Sequence, residues 1–180
     1  NGKRKAKALL QSKLGLDSGP RTPLAACIGR WDADGGIDLL VEILTPALER
    51  GIELVVMGAG SAEVQQRLKT LESTFLGRFK VIEGYHVGTA HLLMGAADVL
   101  LLPFHYQPSN SLFAIGMRYG VLPIVYAKSG LEDVVIDVNA SQRSGLGFHF
   151  DPYTGEGLLA GIDAALKMYK NPTLWKQVAR

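Results

Sequence analysis

The chain has 180 residues, of which 47% are hydrophobic and 20% are charged. That length and that balance fit one globular domain of ordinary size, and they exclude disordered and fibrous proteins. The formal net charge of +2 is too small to indicate a nucleic-acid-binding surface by itself.

The single cysteine and the hydropathy pattern indicate a soluble domain in a reducing compartment. Cys27 is the only cysteine, so an intramolecular disulfide is impossible, and its apolar neighbours predict a buried side chain. The sequence has no run of eighteen apolar residues and no charged-then-apolar leader, so we expect neither a membrane span nor secretion. The sequence at Asn1 reads as mid-protein, which leaves open that a leader once preceded it.

The predicted elements alternate between helices and buried strands. Residues 3–16 predict a helix that ends near Gly15 and could link to a preceding segment. Its basic run, Lys3, Arg4, Lys5 and Lys7, is typical of a solvated helix face, or else contacts a missing neighbouring domain. Short apolar runs predict strands at 24–28, 52–57, 79–82, 99–102, 122–126 and, more weakly, 147–150. Helical spacing follows at 39–48, 64–75 and 158–169, and Asn171-Pro172 begins a short last helix.

Strand followed by helix, repeated along the chain, predicts an α/β fold. We expect a Rossmann-like parallel sheet of about six strands with helices on both faces, formed by residues 17–180 as a single lobe after the helix or linker at 1–16. Ligands of such sheets bind where the carboxyl ends of the strands meet the helix N-termini. The candidate loops are therefore 29–36, 58–61, 84–89, 103–111 and 127–133.

The residues of each loop could bind a ligand or could have a purely structural role. Arg30, just past the first predicted strand, could bind a phosphate or form a surface pair with Asp32 or Asp34. Gly58 and Gly60 could let the backbone approach a ligand, although they equally fit a tight turn.

The later loops leave the same choice open. Tyr85 could stack on a base or simply pack, and His86 and His91 could titrate or serve as structural hydrogen bonders. Ser109, Asn110 and Ser111 could present free amides to an anion, or only cap the next helix. The sequence lacks His/Cys metal spacing, a Walker-type loop and a nucleophile elbow, which leaves a binding fold or a two-lobed transferase.

In this order and spacing, the motifs resemble the C-terminal lobe of glycogen and starch synthases. The matching segments are 10–16, 28–32, 36–39, 56–60, 84–86, 96–103, 117–125 and 130–135. The resemblance covers residues 7 to about 180. It implies a retaining, B-type two-lobed glucosyltransferase that binds ADP-glucose or UDP-glucose in the cleft between its lobes and releases the nucleoside diphosphate.

The resemblance also implies partners and residue roles. The partners are an α-1,4-glucan and the N-terminal lobe of the same protein, with no metal, cofactor, nucleic acid or membrane. Arg30 would neutralise the donor diphosphate and Tyr85 would lie near the adenine. The amides around Asn110 and Ser111 would support the distal phosphate. The implied donor-binding set is Gly29, Arg30, Gly58, Gly60, Tyr85, Ser109, Asn110, Ser111, Gly130 and Leu131, and the implied catalytic pair is Arg30 and Gln107. The location would be the plastid stroma in a plant or alga, and otherwise the cytoplasm.

Several positions depart from the family pattern. The substitutions are Gly35 for lysine, His105 for arginine, Tyr106 for phenylalanine, Gln107 for glutamate, Asn110 for glycine and Ser129 for glycine. Losing such a lysine or carboxylate costs on the order of 10²–10³ in rate each. Two hypotheses follow: an active glucosyltransferase lobe with compensating residues, or a weakly active or noncatalytic relative that acts in glucan binding or granule initiation.

The missing charges favour the second hypothesis. If the site is otherwise intact, Gly35→Lys together with Gln107→Glu should raise donor affinity or turnover. An unrelated α/β domain, such as a sugar-nucleotide epimerase, would need a glycine fingerprint after the first strand, which Gly29-Arg30-Trp31 does not supply.

Overall fold

A computed structural model describes residues 2–17, 19, 21–106, 111–138 and 145–179. Within these ranges it has six strands and seven helices. In chain order they are α1 (Gly2–Leu14), β1 (Leu24–Trp31), α2 (Ile37–Glu49), β2 (Glu53–Gly60), α3 (Ala62–Thr74), β3 (Phe79–Glu83), α4 (Val87–Ala96), β4 (Val99–Leu102), α5 (Ser111–Arg118), β5 (Leu122–Tyr126), β6 (Phe148–Phe150), α6 (Gly155–Tyr169) and α7 (Pro172–Val178). None of these helices combines the length and the apolar character needed to cross a bilayer.

The strands form one parallel sheet in the order β3-β2-β1-β4-β5-β6. The predicted Rossmann-like sheet of about six strands is therefore confirmed. The chain runs outward from β1 in one direction and then returns to place β4 on the other side of β1. This reversal opens a crevice at the carboxyl ends of β1 and β4, where ligands of such folds bind.

Alternate residues of each buried strand contribute to two cores, one on each face of the sheet. In β1, Leu24, Ala26 and Ile28 pack on the face covered by α1, α4 and α5. Ala25 and Cys27 point to the other face, covered by α2, α3, α6 and α7. Burial raises the pKa of the Cys27 thiol to about 12, so this side chain acts as a small neutral hydrophobe, as predicted.

Helix α1 is fixed to the lobe by a buried ion pair, which corrects part of the sequence analysis. Lys7 is only 3% exposed, and its Nζ lies 2.6 Å from Oδ2 of Asp98. The same carboxylate oxygen accepts a hydrogen bond from the Leu24 amide at 2.9 Å. The interpretation of the basic run as a wholly solvated face is therefore wrong for Lys7, and burial also lowers the pKa of Lys3 to about 8.

The predicted ends of the first two strands are wrong. β1 continues to Trp31 and β2 continues to Gly60, so Arg30 lies within a strand rather than past its end. The physical reason is Trp31, which is 2% exposed and packs against the end of β2. A Cβ atom on Gly58 would collide with the Gly29 carbonyl oxygen and would lie 2.8 Å from Nε1 of Trp31, so glycine there makes room first for the β1 backbone and then for the indole.

Candidate functional site

The turns that follow the strands are linked to one another along the carboxyl edge of the sheet. The Gly84 amide donates to the Gly58 carbonyl at 2.7 Å, which joins the ends of β3 and β2. Across the crevice, the His105 amide donates to the Asp34 carbonyl at 3.2 Å, which joins the turns after β1 and β4. The described parts of these candidate loops therefore lie along one edge of the sheet, where these bonds join them in two pairs.

Arg30 lies on this edge, and its guanidinium forms ion pairs with two carboxylates of the same turn. Its side chain is 71% exposed, with Nε 3.3 Å from Oδ2 of Asp32 and Nη2 3.8 Å from Oδ2 of Asp34. These are the surface pairs that the plainer interpretation predicts. Because exposed pairs are weak, they leave the guanidinium able to exchange a carboxylate for a phosphate.

The remaining predicted residues are placed along the same edge. Tyr85, in the turn after β3, is 59% exposed, so much of its ring is accessible to solvent. Ser111 is the first residue of α5, and Gly29 lies within β1. Gln107, Ser109 and Asn110 lie outside the described residues.

The turn after β5 holds a carboxylate against one of the predicted donor-binding amides. The Gly130 amide donates to Oε2 of Glu132 at 2.7 Å, and Gly130 has φ +88°. Leu131 is fully buried, backbone included, so this predicted donor-binding residue presents no surface to a ligand. Oγ of Ser129 is buried and has no hydrogen-bond partner within the described ranges. Glu132 thus already occupies the Gly130 amide from within the turn, a contact that the sequence did not indicate.

An aromatic cluster forms the wall on the β4–β5 side and was also missed. The His105 ring stacks on Tyr126 at 5.9 Å between centroids and meets the edge of Tyr153 at 4.9 Å. The Tyr153 hydroxyl donates to the Pro103 carbonyl at 2.7 Å. Burial, with the Asp34 and Asp38 carboxylates, raises the pKa of Tyr153, which keeps this donor protonated. These three aromatic residues lie 21 to 48 positions apart in the sequence, so no local sequence pattern predicts that their rings meet.

Gly35 is required by the shape of the β1–α2 turn. Its amide donates to Oδ1 of Asp32 at 2.8 Å, and a Cβ atom there would collide with the Arg30 carbonyl oxygen. Gly36 follows with φ +72° and is the N-cap residue that precedes α2. A lysine at position 35 therefore needs a different turn, which changes the expectation that Gly35→Lys would simply restore a charge.

The histidines singled out by the sequence make intramolecular hydrogen bonds. Nε2 of His86 donates to the Glu83 carbonyl at 2.9 Å. Nδ1 of His91 is hydrogen-bonded to the Tyr119 hydroxyl at 2.8 Å. These contacts favour the structural interpretation of both residues. Across the described ranges, no group of three or more His, Cys, Asp or Glu side chains could hold a metal ion.

Lys128 adds a cation to the edge, just after β5. Its Nζ lies 3.1 Å from Oδ2 of Asp151, and this contact raises the pKa of the ammonium group. In the sequence, a lysine after a strand end gives no signal distinct from ordinary surface charge, so Lys128 was not predicted as a site residue.

Known proteins with similar sequences are glycogen and starch synthases. The chain is 35% identical to a glycogen synthase of Erwinia tasmaniensis, over all of this chain and 38% of that protein. It is also 35% identical to granule-bound starch synthase 2 of Pisum sativum, described as chloroplastic/amyloplastic, over 94% of this chain and 23% of that protein. The chain thus spans well under half the length of the curated relatives it matches.

Solved structures with a similar fold include a starch synthase and other glycosyl transferases. The catalytic domain of starch synthase IV from Arabidopsis thaliana, bound to ADP and acarbose, superposes with a TM-score of 0.90 at 26% identity, over 99% of this chain and 38% of that one. The C-terminal domain of a group 1 glycosyl transferase from Francisella tularensis shares the fold, with a TM-score of 0.70 at 14% identity over 99% of this chain and 87% of that one.

The family comparison covers almost the whole lobe, from the end of α1 through α7. Residues 12–180 match the family described as Glycosyl transferases group 1, and the strand order, the crevice and the similar proteins all agree with that match. The chain therefore belongs to the group 1 glycosyl transferase family.

Proposed function

We propose that this chain is the nucleotide-sugar-binding lobe of a starch- or glycogen-synthase-like glucosyltransferase. The whole protein would transfer glucose from ADP-glucose to an α-1,4-glucan. The observation that carries the proposal is the TM-score of 0.90 with a starch synthase catalytic domain that was solved with ADP bound. Arg30 lies at the crevice of this lobe, where a diphosphate would need a positive charge.

In the proposed reaction, the lobe stabilises the diphosphate as the bond to the sugar breaks. Negative charge develops on the leaving oxygen, and fixed donors near it lower the barrier. Arg30 supplies a two-pronged cation and Tyr85 offers a ring to the base. Lys128 is a cation of the same edge that can compensate for the lysine absent at position 35. Gln107 would hydrogen-bond sugar hydroxyls without contributing a charge.

The proposed partners follow from the geometry of a two-lobed enzyme. The carboxyl edge is half of a cleft, so transfer requires an N-terminal lobe that helps to bind donor and acceptor. The proposed donor is ADP-glucose, with UDP-glucose as the other option, and no metal or cofactor takes part. If the host is a plant, the pea relative's plastid description supports a location in the plastid stroma.

The proposal can be tested on the two-lobe protein by calorimetry with ADP, ADP-glucose and UDP-glucose, together with incorporation of labelled glucose into glycogen. We expect saturable binding of ADP and one nucleotide sugar, and measurable incorporation. Binding without incorporation would support the noncatalytic alternative instead. Absence of binding by all three nucleotides would overturn the proposed donor site.

Removing the Glu132 carboxylate should strengthen ADP binding. Glu132 competes for the Gly130 amide. Because the neutral oxygen of a glutamine is a weaker acceptor than a carboxylate, Glu132→Gln should lower the Kd for ADP by roughly two- to fivefold, the scale of an exposed charge interaction. Calorimetric titration of ADP into the wild-type and variant two-lobe proteins measures this change in Kd.

The neighbouring Asp133 provides the matched control. It is exposed, and Asp133→Asn removes the same charge one position away without touching the Gly130 amide. If both variants tighten binding equally, the effect is general electrostatics and the competition for the amide is wrong.

Substituting Gly35 should weaken donor binding even when the new side chain is positive. Gly35→Ala and Gly35→Lys both place a Cβ atom against the Arg30 carbonyl, so both must move the turn that holds Arg30. We expect ADP affinity to fall by roughly tenfold in each variant, corresponding to about 1.4 kcal/mol of turn distortion. Titration of ADP into the two-lobe variants checks this.

The exposed Gly88, whose Cβ atom would meet nothing within 4 Å, provides the control as Gly88→Ala. A gain in ADP affinity from Gly35→Lys would show that the turn adapts and that charge dominates at this position.

A further inference from the structure

A basic groove lies at the amino edge of the sheet, opposite the proposed donor site. It has a volume of about 420 Å³ and is lined by residues that include Arg21, Arg50, Lys167, Lys170, Asp163 and Tyr169. We call this the amino-edge groove. Its volume falls within the range of about 300–1,000 Å³ typical of small-molecule sites.

One wall of the groove is held in place by paired side chains. Nε of Arg50 lies 2.7 Å from Oδ1 of Asp163, and Nη2 lies 3.1 Å from Oδ2, so the two form a two-pronged pair. The Tyr169 ring meets the edge of Trp175 at 5.0 Å between centroids. The Nζ atom of Lys7 lies 5.8 Å from the centroid of the same ring. These contacts make a fixed wall beneath a charged rim.

The rim carries positive charge that the lobe itself does not use. Within the described ranges, Arg21, Lys167 and Lys170 are exposed and form no ion pair or side-chain hydrogen bond. Asp163 is the acidic residue in the lining, and Arg50 already engages both of its oxygens. The groove therefore concentrates three unpaired cations around one opening.

Helix dipoles account for part of this arrangement but not for all of it. Lys167 and Lys170 lie at the end of α6 and Arg50 follows α2, where cations stabilise the partial negative charge of a helix C-terminus. Arg21 lies in neither helix; it precedes β1 and still lines the same groove. Convergence of cations from three separate segments on one concave surface points to an anionic ligand.

We propose that the amino-edge groove binds a small phosphate-bearing ligand, distinct from the nucleotide sugar at the carboxyl edge. Arg21 and the two lysines would hold the phosphate oxygens, because guanidinium and ammonium groups make strong charge-assisted hydrogen bonds to them. Tyr169 and Leu166 supply apolar surface for an organic group on the ester. The ligand class is therefore a phosphate monoester of a sugar or a comparable small molecule.

Nuclear magnetic resonance of the ¹⁵N-labelled chain tests this site separately from the donor site. The probes are inorganic phosphate, α-D-glucose 1-phosphate and glucose. We expect both phosphates to shift the backbone amides of Arg21, Gly51 and Lys170, and glucose alone to shift none of them. A tighter Kd for the ester than for inorganic phosphate would show that the sugar contributes; equal values would show that the phosphate group alone is recognised.

Variants on the rim complete the test. Lys167→Gln with Lys170→Gln should weaken phosphate binding by about five- to tenfold. Lys13→Gln with Lys176→Gln removes the same charge from exposed lysines elsewhere and should leave the Kd unchanged. Arg30→Ala should abolish phosphate-induced shifts at the carboxyl edge only. Absent shifts around the groove, or equal weakening by both lysine pairs, would overturn the proposal.

Discussion

Replacing Lys7 with methionine is expected to lower the free energy of unfolding by about 3–5 kcal/mol. The Lys7 Nζ and the Asp98 carboxylate are both buried and lie 2.6 Å apart. Methionine fills a similar volume but leaves the carboxylate in a poorly solvated environment without its cation. The penalty for an unpaired buried charge, rather than the worth of the pair, sets the size of the effect. Urea denaturation followed by circular dichroism measures it.

Two further variants separate this mechanism from a general change in net charge. Lys5→Met removes the same charge from an exposed position on the same helix and should change stability by less than about 0.5 kcal/mol. Lys7→Met combined with Asp98→Asn should recover part of the loss, because no buried charge then remains unpaired. Equal losses from Lys5→Met and Lys7→Met would contradict a buried pair.

Lys7 also shows where sequence reasoning about this fold succeeds and where it stops. The apolar runs and helical spacings predicted all six strands and the α/β architecture, because buried parallel strands require continuous apolar segments. A basic run at a chain end is most often solvated, and nothing near Lys7 in the sequence marks Asp98, which lies 91 positions away. Pairings of this kind depend on which elements become neighbours, which periodicity alone does not specify.

Some features of the candidate site could likewise be predicted from the sequence, and others could not. Strand-end position, glycine content and family resemblance were enough to place Arg30, Tyr85 and Gly130 on one edge. They were not enough to predict the lengths of the strands, because β1 and β2 continue through residues whose sequence is typical of a turn. Gly58 lies in β2, where a Cβ atom would collide with the β1 backbone opposite it and crowd the Trp31 indole. A glycine needed for an internal contact and a glycine needed for a ligand look identical in the sequence.

The electrostatics of the edge explain why the altered positions do not by themselves decide activity. Arg30 is held by Asp32 and Asp34, and the Gly130 amide is held by Glu132. Under the proposed function, a diphosphate that enters the crevice would exchange these exposed intramolecular contacts for stronger charge-assisted ones. Donor affinity therefore depends on the difference between two sets of contacts, and a count of charges in the sequence does not give that difference.

Arg30→Ala in the two-lobe protein is expected to reduce turnover by about 10²–10³-fold. Arg30 is the cation that β1 presents at the crevice. In the proposed reaction, it stabilises the diphosphate most as the bond to the sugar breaks. Because the side chain is 71% exposed and its carboxylate pairs are weak, the substitution should leave stability within about 0.5 kcal/mol of the wild type. Labelled-glucose incorporation and thermal unfolding measure the two effects independently.

Arg30→Lys and Arg67→Ala distinguish the geometry of the guanidinium from its charge. Arg30→Lys keeps the charge but loses the planar fork, so its turnover should fall between that of the wild type and that of Arg30→Ala. Arg67 is an exposed arginine of α3, and Arg67→Ala should leave turnover unchanged. A fall in kcat larger than any rise in KM would place the role of Arg30 in the transition state, since an interaction that is equal in both states alters only KM. Unchanged turnover in Arg30→Ala would mean that the diphosphate is held elsewhere on the edge, with Lys128 as the next cation to substitute.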